Sequence, residues 1–165
     1  MIIIFISILF AERKDKRYYC YAIGIDNNST YFYLSVTNGD NDEIKKYEVK
    51  GIEYSKAIEK AEKEGYEIDF NILNAVYFSN DLNYENENAF IENYKNIISL
   101  KTLIYKCDLN ILLDEDVVGN QGIFIIPEMF GERKDSTIFL DVLYKRKSPL
   151  TIFYSGDKFV VKRFE

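Results

Sequence analysis

Two adjacent segments near the start of the chain constrain its fold most strongly, because together they have the pattern of a β-hairpin. Residues 18–25 form a continuous apolar run that ends in the turn-forming sequence Asp26-Asn27-Asn28-Ser29. The next segment alternates strictly between two faces, with Phe32, Leu34 and Val36 on one face and Tyr31, Tyr33, Ser35 and Thr37 on the other. The sequence therefore predicts a strand, a turn and a return strand, followed by a further short strand through Tyr47 and Val49.

Two later segments have the spacing of helices. Tyr54, Ala57, Ile58 and Ala61 recur at intervals of three and four residues, which places them on one helical face. Gly65 stands where a C-terminal cap is expected. Residues 89–98 repeat this spacing through Ala89, Phe90, Tyr94, Ile97 and Ile98. The pattern predicts two main helices.

Short apolar runs elsewhere are typical of strands. They cover residues 72–78, 103–107, 123–126 and 138–144, and residues 151–154 and 159–161 flank a Gly156-Asp157 turn. Between them, residues 108–122 indicate one or two helical turns and a loop. The sequence thus predicts an α+β fold, a mixed β-sheet with two main helices packed on it. We expect a single domain over residues 18–165, preceded by an apolar N-terminal segment and charged linker over residues 1–17.

Charge and composition argue against several classes of function. The 165 residues carry 21 Lys and Arg against 27 Asp and Glu, so the net charge is 21 − 27 = −6. Nucleic-acid binding requires a basic face, and the longest basic run is only Lys145-Arg146-Lys147. The chain has no His, which removes the commonest general base and metal ligand. We expect no nucleic-acid partner, no metal and no cofactor.

The two cysteines stand far apart, and no CxxC pair exists. Cys20 and Cys107 both lie in apolar, strand-like settings, which favours buried structural thiols. The spacing does not decide whether they form a disulfide.

The candidate catalytic or metal-binding carboxylates are Asp26, Asp40, Asp42 and those of residues 114–116. Asp40-Asn41-Asp42 resembles the opening of a calcium loop, but Lys45 and Gly51 occupy the positions where that loop requires Gly and Glu. Neither a phosphate-binding glycine loop nor a nucleophile elbow occurs. We therefore expect no catalytic residues and no enzymatic activity. The Tyr-rich strands are typical of half-buried sheet faces, with a sugar or peptide platform as the alternative.

The N-terminal residues form the most apolar stretch of the chain. This stretch, residues 2–10, has nine residues, which are too few to cross a bilayer because a membrane-spanning helix takes about 20. The stretch can be a buried first strand, a truncated export signal or a shallow membrane contact. The residues of this candidate membrane contact are Ile2, Ile3, Ile4, Phe5, Ile6, Ile8, Leu9 and Phe10.

A series of short segments, taken in chain order, has the pattern of a known protein family. The segments are Ala22-Ile23-Gly24-Ile25-Asp26, Gly51 with Ser55 to Glu59, Asn74 to Phe78, Phe90 to Ile98, Leu103 to Tyr105, Ile125-Ile126-Pro127, and Thr151 to Phe153 with Gly156 to Val160. Over residues 11–163 this order and spacing resembles the Ger(x)C family, the C-subunit lipoproteins of spore nutrient-germinant receptors. The family's lipobox Cys is missing, because Phe10-Ala11-Glu12-Arg13 occupies its place.

This resemblance implies a mixed α/β first domain and a non-enzymatic role. By resemblance, the partners are other germinant-receptor subunits, and the location is the outer face of the spore inner membrane. Our first hypothesis is thus an accessory or assembly component that acts by protein–protein contact at that membrane. The alternative is a small, acidic cytoplasmic binding protein of immunity or inhibitor type. An enzyme that uses carboxylates is the third hypothesis, and it would need two acids converging in a concave pocket.

Overall fold

The structure, a computed structural model, describes residues 16–38, 41–114 and 121–164. Eight strands occur in these ranges: β1 Lys16–Ile25, β2 Ser29–Asn38, β3 Asn41–Lys50, β4 Tyr66–Asp69, β5 Ala75–Ser79, β6 Leu103–Cys107, β7 Leu150–Ser155 and β8 Lys158–Arg163. The α-helices in the same ranges are α1 Tyr54–Lys63, α2 Tyr84–Tyr94, α3 Gly122–Phe130 and α4 Phe139–Leu143. A short 3₁₀ helix covers Leu109–Leu112.

The strands form one mixed sheet in the order β3-β2-β1-β5-β6-β7-β8. β1, β5, β6 and β7 run parallel, whereas β2, β3 and β8 pair antiparallel with their neighbours. β4 pairs with the first half of β1, and β5 pairs with its second half. β1 is therefore flanked on both edges, and Cys20, Ala22, Ile23 and Ile25 are completely buried. Burial on both faces explains its continuous apolar sequence.

A hydrophobic core lies on each face of the sheet. On the first face, α1, α2 and α4 cover the sheet through residues such as Ala57, Phe90 and Phe139. On the second face, the 3₁₀ helix and α3 pack through Leu112 and Ile126 against side chains of the central strands. The sheet is thus the middle layer of three.

The structure confirms the α+β fold class, the mixed sheet and the N-terminal hairpin. The alternation in β2 is as predicted, because Phe32 and Leu34 enter the first core and Tyr33 enters the second. Helix α1 buries Ala57 and Ala61 as predicted, and Gly65 follows it with a φ of +82°. Residues 109–112 form a 3₁₀ helix, in agreement with the helical turn predicted within residues 108–122.

Two predicted strands are wrong, since both segments are helices. Residues 123–126 belong to α3, which buries Ile123, Ile126 and Phe130 at helical spacing. Pro127 lies inside this helix, and its carbonyl accepts a hydrogen bond from the Gly131 N–H. A short apolar run is compatible with either a strand or a buried helix. In this segment the residues pack on the second face of the sheet as a helix.

Residues 138–144 contain α4, and only Ile138 makes an isolated β-bridge, to Leu103. The Asp141 carboxylate accepts a hydrogen bond from the Ile138 N–H, which favours the start of a helix at this position. Strand β1 begins at Lys16, so Lys16 and Arg17 of the expected linker belong to this strand. Strand β4 was not predicted. The apolar N-terminal residues 2–10 lie outside the described residues.

Candidate binding surfaces

A pocket lies at the carboxyl ends of three parallel strands. Asp26 follows β1, Asn80 and Asp81 follow β5, and Asp108 follows β6. Because β1, β5 and β6 are parallel neighbours, these residues meet at one edge of the sheet. They line a cavity of about 420 Å³, which we call the strand-end pocket. Crevices at the carboxyl ends of parallel strands are the usual ligand sites of open α/β sheets.

Asp26 organises the wall of this pocket. Its Oδ1 accepts hydrogen bonds from the backbone N–H groups of Asn28 (2.8 Å) and Ser29 (2.7 Å). Its Oδ2 accepts a hydrogen bond of 2.7 Å from the Tyr31 hydroxyl. Both oxygens of the carboxylate therefore hold the turn between β1 and β2, which is a structural use of Asp26.

The other two carboxylates are exposed at the rim of the strand-end pocket. One oxygen of Asp81 accepts a hydrogen bond from the Ser79 hydroxyl, and one oxygen of Asp108 accepts from the Asn110 N–H. Within the described part of the chain, no Lys or Arg forms an ion pair with Asp26, Asp81 or Asp108. The one ammonium group on the lining belongs to Lys46, which lies 5.0 Å from the centre of the Tyr31 ring. The pocket therefore carries an excess of negative charge.

Tyr33 forms part of the pocket although it is only 1% exposed. Its backbone is paired with Ala22, but its hydroxyl lies beside Gly24, two residues closer to the carboxyl end of β1. The side chain therefore points along the sheet towards the strand-end pocket. A Cβ on Gly24 would lie 3.1 Å from the Tyr33 hydroxyl, so the glycine provides the room for this orientation. Burial raises the pKa of Tyr33 well above its ordinary value, which keeps the phenol neutral.

The candidate carboxylates from the sequence are only partly brought together. Asp26 lines the strand-end pocket, whereas Asp114 is exposed and absent from its lining. Asp42 belongs to β3, and Asp40 and residues 115–116 lie outside the described residues. Asp81 and Asp108 were missed, although each directly follows a strand. A position directly after a strand could have identified both residues as pocket candidates. That inference, however, requires knowing that β1, β5 and β6 are parallel neighbours.

A second surface lies at the end of the sheet formed by the β7–β8 hairpin. Phe153 and Val160 are cross-strand partners on this hairpin, and neither belongs to the two hydrophobic cores. Phe164 is 57% exposed and contacts Phe153 edge-to-face at 6.0 Å between ring centres. We call Phe153, Val160 and Phe164 the hairpin patch. A groove of about 350 Å³ beside it is lined by Phe153, Phe164, Lys106 and Thr151.

The two terminal strands of the order β3-β2-β1-β5-β6-β7-β8 differ in character. β3 is the edge strand on one side, and its described side chains include Lys45, Lys46, Glu48 and Lys50. Charged edges of this kind protect a sheet from pairing with other chains. β8, the last described strand on the other side, has the apolar sequence Phe159-Val160-Val161 at its centre. Among the described residues, β8 is therefore the edge more open to strand addition.

The remaining sequence hypotheses concern the cysteines, metals and membranes. Cys20 and Cys107 are free, buried thiols, as expected for structural cysteines. In the three described ranges, no group of three or more Cys, Asp or Glu residues is arranged to hold a metal ion. No helix found in those ranges has the length and apolarity needed to span a membrane.

Comparison with known proteins adds no relative. No family model, no curated protein and no solved structure significantly matches the chain.

Proposed function

We propose that this chain is a non-catalytic assembly domain that acts by protein–protein contact through the β8 edge and the hairpin patch. The observation that carries the proposal is the pair Phe153 and Val160, which lies on the sheet but packs into neither core. Apolar surface in this position is stabilised when a partner covers it. The neighbouring edge offers backbone groups to an extended partner segment.

The charges around the hairpin patch indicate the chemistry of the partner segment. Lys158 and Lys162 flank the apolar centre of β8, and both are exposed. Neither forms an ion pair with another described residue. A partner strand with apolar residues opposite the centre of β8 and carboxylates near its ends would complement this edge in shape and charge. Arg163 is less available, because it donates hydrogen bonds to the carbonyls of Ser148 and Asp135.

The resemblance to the Ger(x)C family supports a specific setting for this contact. In that setting the partners are other subunits of a spore germinant receptor, and the contact forms at the outer face of the spore inner membrane. The alternative is a small, acidic cytoplasmic protein of immunity or inhibitor type that uses the same edge to bind a soluble partner. The net charge of −6 is compatible with either setting.

Site-specific photo-crosslinking tests the contact itself. A photoreactive residue is placed at Val160 in the full-length chain, and cells and spores of the source organism are irradiated. The matched control carries the same residue at Ile72, an apolar side chain that is 47% exposed and far from the hairpin in sequence. We expect one discrete protein adduct at Val160 and none at Ile72. Equal adducts at both positions, or none at Val160, would contradict the proposal.

Substitution with charge then tests whether the crosslink reports a functional interface. Val160→Glu and Val160→Lys both remove the apolar contact, but only Val160→Glu opposes an acidic partner segment. We expect both variants to bind the purified partner with lower affinity than the unmodified chain does, and Val160→Glu to have the lower affinity of the two. Ile72→Glu should bind the partner as the unmodified chain does. If Val160→Glu binds the partner with unchanged affinity, the β8 edge is not the binding surface.

Fractionation of the untagged protein separates the two settings. Recovery in the spore membrane fraction, with the Val160 adduct formed there, supports the germinant-receptor setting. Recovery only in the cytosol of growing cells overturns that setting and favours the immunity or inhibitor alternative.

A further inference from the structure

We infer that the strand-end pocket binds a small organic cation, with an ammonium group held by the rim carboxylates and a hydrogen-bonding oxygen held by Tyr33. This inference concerns a surface different from the hairpin patch and does not depend on the proposed function. Two independent observations carry it: the charge of the pocket lining, and the buried side chain of Tyr33, whose hydroxyl opens into the pocket.

The negative charge of the pocket lining favours a positively charged ligand. Three carboxylates, from Asp26, Asp81 and Asp108, face one ammonium group from Lys46. Asp81 and Asp108 each use one oxygen in a local hydrogen bond, which leaves the second oxygen able to accept from a ligand. A ligand ammonium group supplies the donors that these oxygens require, and hydrogen bonds to charged groups are the stronger kind.

The Tyr33 hydroxyl indicates that the ligand extends inward from the rim. No hydrogen bond joins this hydroxyl to any residue that the structure describes. The hydroxyl is not among the fully buried polar atoms that lack a partner, so it keeps contact with the open space of the pocket, where a ligand can reach it. Because the phenol stays neutral, it can donate to a ligand oxygen and accept from a ligand donor. Gly24 keeps the space beside it open.

Size and ligand geometry favour an organic molecule over a metal ion. A volume of about 420 Å³ lies within the range of pockets that hold small molecules. The acidic side chains of the described residues are too dispersed to form a metal-binding cluster. One molecule that spans from the rim carboxylates to Tyr33 accounts for both the charge of the lining and the hydroxyl that opens into the pocket.

A matched set of three probes tests the inference on the full-length protein. Aminobutanol carries an ammonium group and a hydroxyl. Butanediol has a neutral hydroxyl in place of the ammonium group, and 4-hydroxybutyrate has a carboxylate in place of the aminomethyl group. Two-dimensional amide NMR spectra are recorded during titration with each probe. We expect aminobutanol to shift the signals of residues 26–28, 80–81 and 108–110, and the other two probes to shift them much less. Equal shifts with aminobutanol and butanediol would overturn the inference.

Substitutions assign the binding to the two features that predict it. Asp81→Asn should weaken aminobutanol binding about tenfold, and Tyr33→Phe about three- to tenfold. Asp157→Asn, at the exposed β7–β8 turn, should leave binding unchanged. Because Asp81 is exposed, we expect Asp81→Asn to fold even if Tyr33→Phe does not. An unchanged affinity of Asp81→Asn for aminobutanol would refute the role of the rim carboxylates. A titration with calcium chloride that shifts the same signals and displaces aminobutanol would instead show a metal site.

Discussion

The hydroxyl of Tyr31 donates a hydrogen bond of 2.7 Å to Oδ2 of Asp26, across the turn that joins β1 to β2. Removing this hydroxyl in Tyr31→Phe should lower the free energy of unfolding by about 1.5–3 kcal/mol, the usual net value of a hydrogen bond to a charged group. Urea denaturation followed by circular dichroism measures the change. Tyr19→Phe, at an exposed tyrosine of β1, serves as the control and should stay within about 0.5 kcal/mol of the unmodified chain.

The same contact predicts a dependence of stability on alkaline pH. Burial first, and then the hydrogen bond to Asp26, raise the pKa of Tyr31 from 10.0 to about 12. Since the folded state favours the neutral phenol, the stability that it contributes is complete below pH 10 and is lost as the pH rises through about 12. The difference in unfolding free energy between the unmodified chain and Tyr31→Phe should therefore shrink over this interval. A difference that grows with pH would have the wrong sign for this assignment.

Phe90 is the most connected aromatic residue of the first core and should be critical for stability. Its ring is completely buried and contacts Phe78, Tyr94 and Phe139 at centroid distances of 5.5, 4.5 and 6.3 Å. Phe90→Ala should lower the free energy of unfolding by about 3–5 kcal/mol, since it leaves a cavity in a packed interior. That loss is a large share of the stability of a typical domain, which is about 5–15 kcal/mol.

Two further variants keep this prediction measurable. Phe90→Leu, which fills part of the cavity, should show an intermediate loss if Phe90→Ala does not fold. Met129→Ala, at an exposed position of α3, should change the free energy of unfolding by less than about 0.5 kcal/mol. A similar loss in Met129→Ala and Phe90→Leu would show that Phe90 is not the anchor of the first core.

Much of the fold follows from local sequence patterns, because its longest elements have a clear period. The alternation of β2 and the helical spacing of α1 both correspond to the faces that these elements bury. The segments of α3 and α4 were assigned wrongly, because a short apolar run fits a strand and a buried helix equally well. In α3 the burial of Ile123, Ile126 and Phe130 at helical spacing becomes evident only from the packing on the second face.

The strand-end pocket was less accessible to sequence reasoning than the fold. Asp26 was a candidate, but its companions Asp81 and Asp108 stand 55 and 82 residues further along the chain (81 − 26 and 108 − 26). Their proximity depends on the parallel order of β1, β5 and β6, which no local pattern specifies. The orientation of Tyr33 depends in addition on the space beside Gly24. The order of the strands in the sheet, and not the sequence of any single segment, brings these side chains together.

The β7–β8 turn provides a test of backbone conformation. Ser155 pairs with Lys158, so Gly156 and Asp157 form a two-residue loop, and Gly156 has a φ of +71°. An L-residue with a side chain is strained in this region, and Gly156→Ala should lower the free energy of unfolding by about 1–2 kcal/mol. Asp157→Ala should have a much smaller effect, because Asp157 is exposed and its φ is not positive. Equal effects in the two variants, measured by urea denaturation, would contradict the assigned turn.

Cys20 and Cys107 belong to cores on opposite faces of the sheet, so the sheet itself separates the two thiols. Both are completely buried, and burial raises the pKa of each thiol well above its ordinary value. The Cys20 thiol also donates a hydrogen bond to the Ala22 carbonyl. We expect neither cysteine to react with a thiol-specific reagent in the native protein, and both to react after unfolding in urea. Mass spectrometry of the oxidised, native protein should find two free thiols, whereas an intramolecular disulfide would contradict their placement on opposite faces.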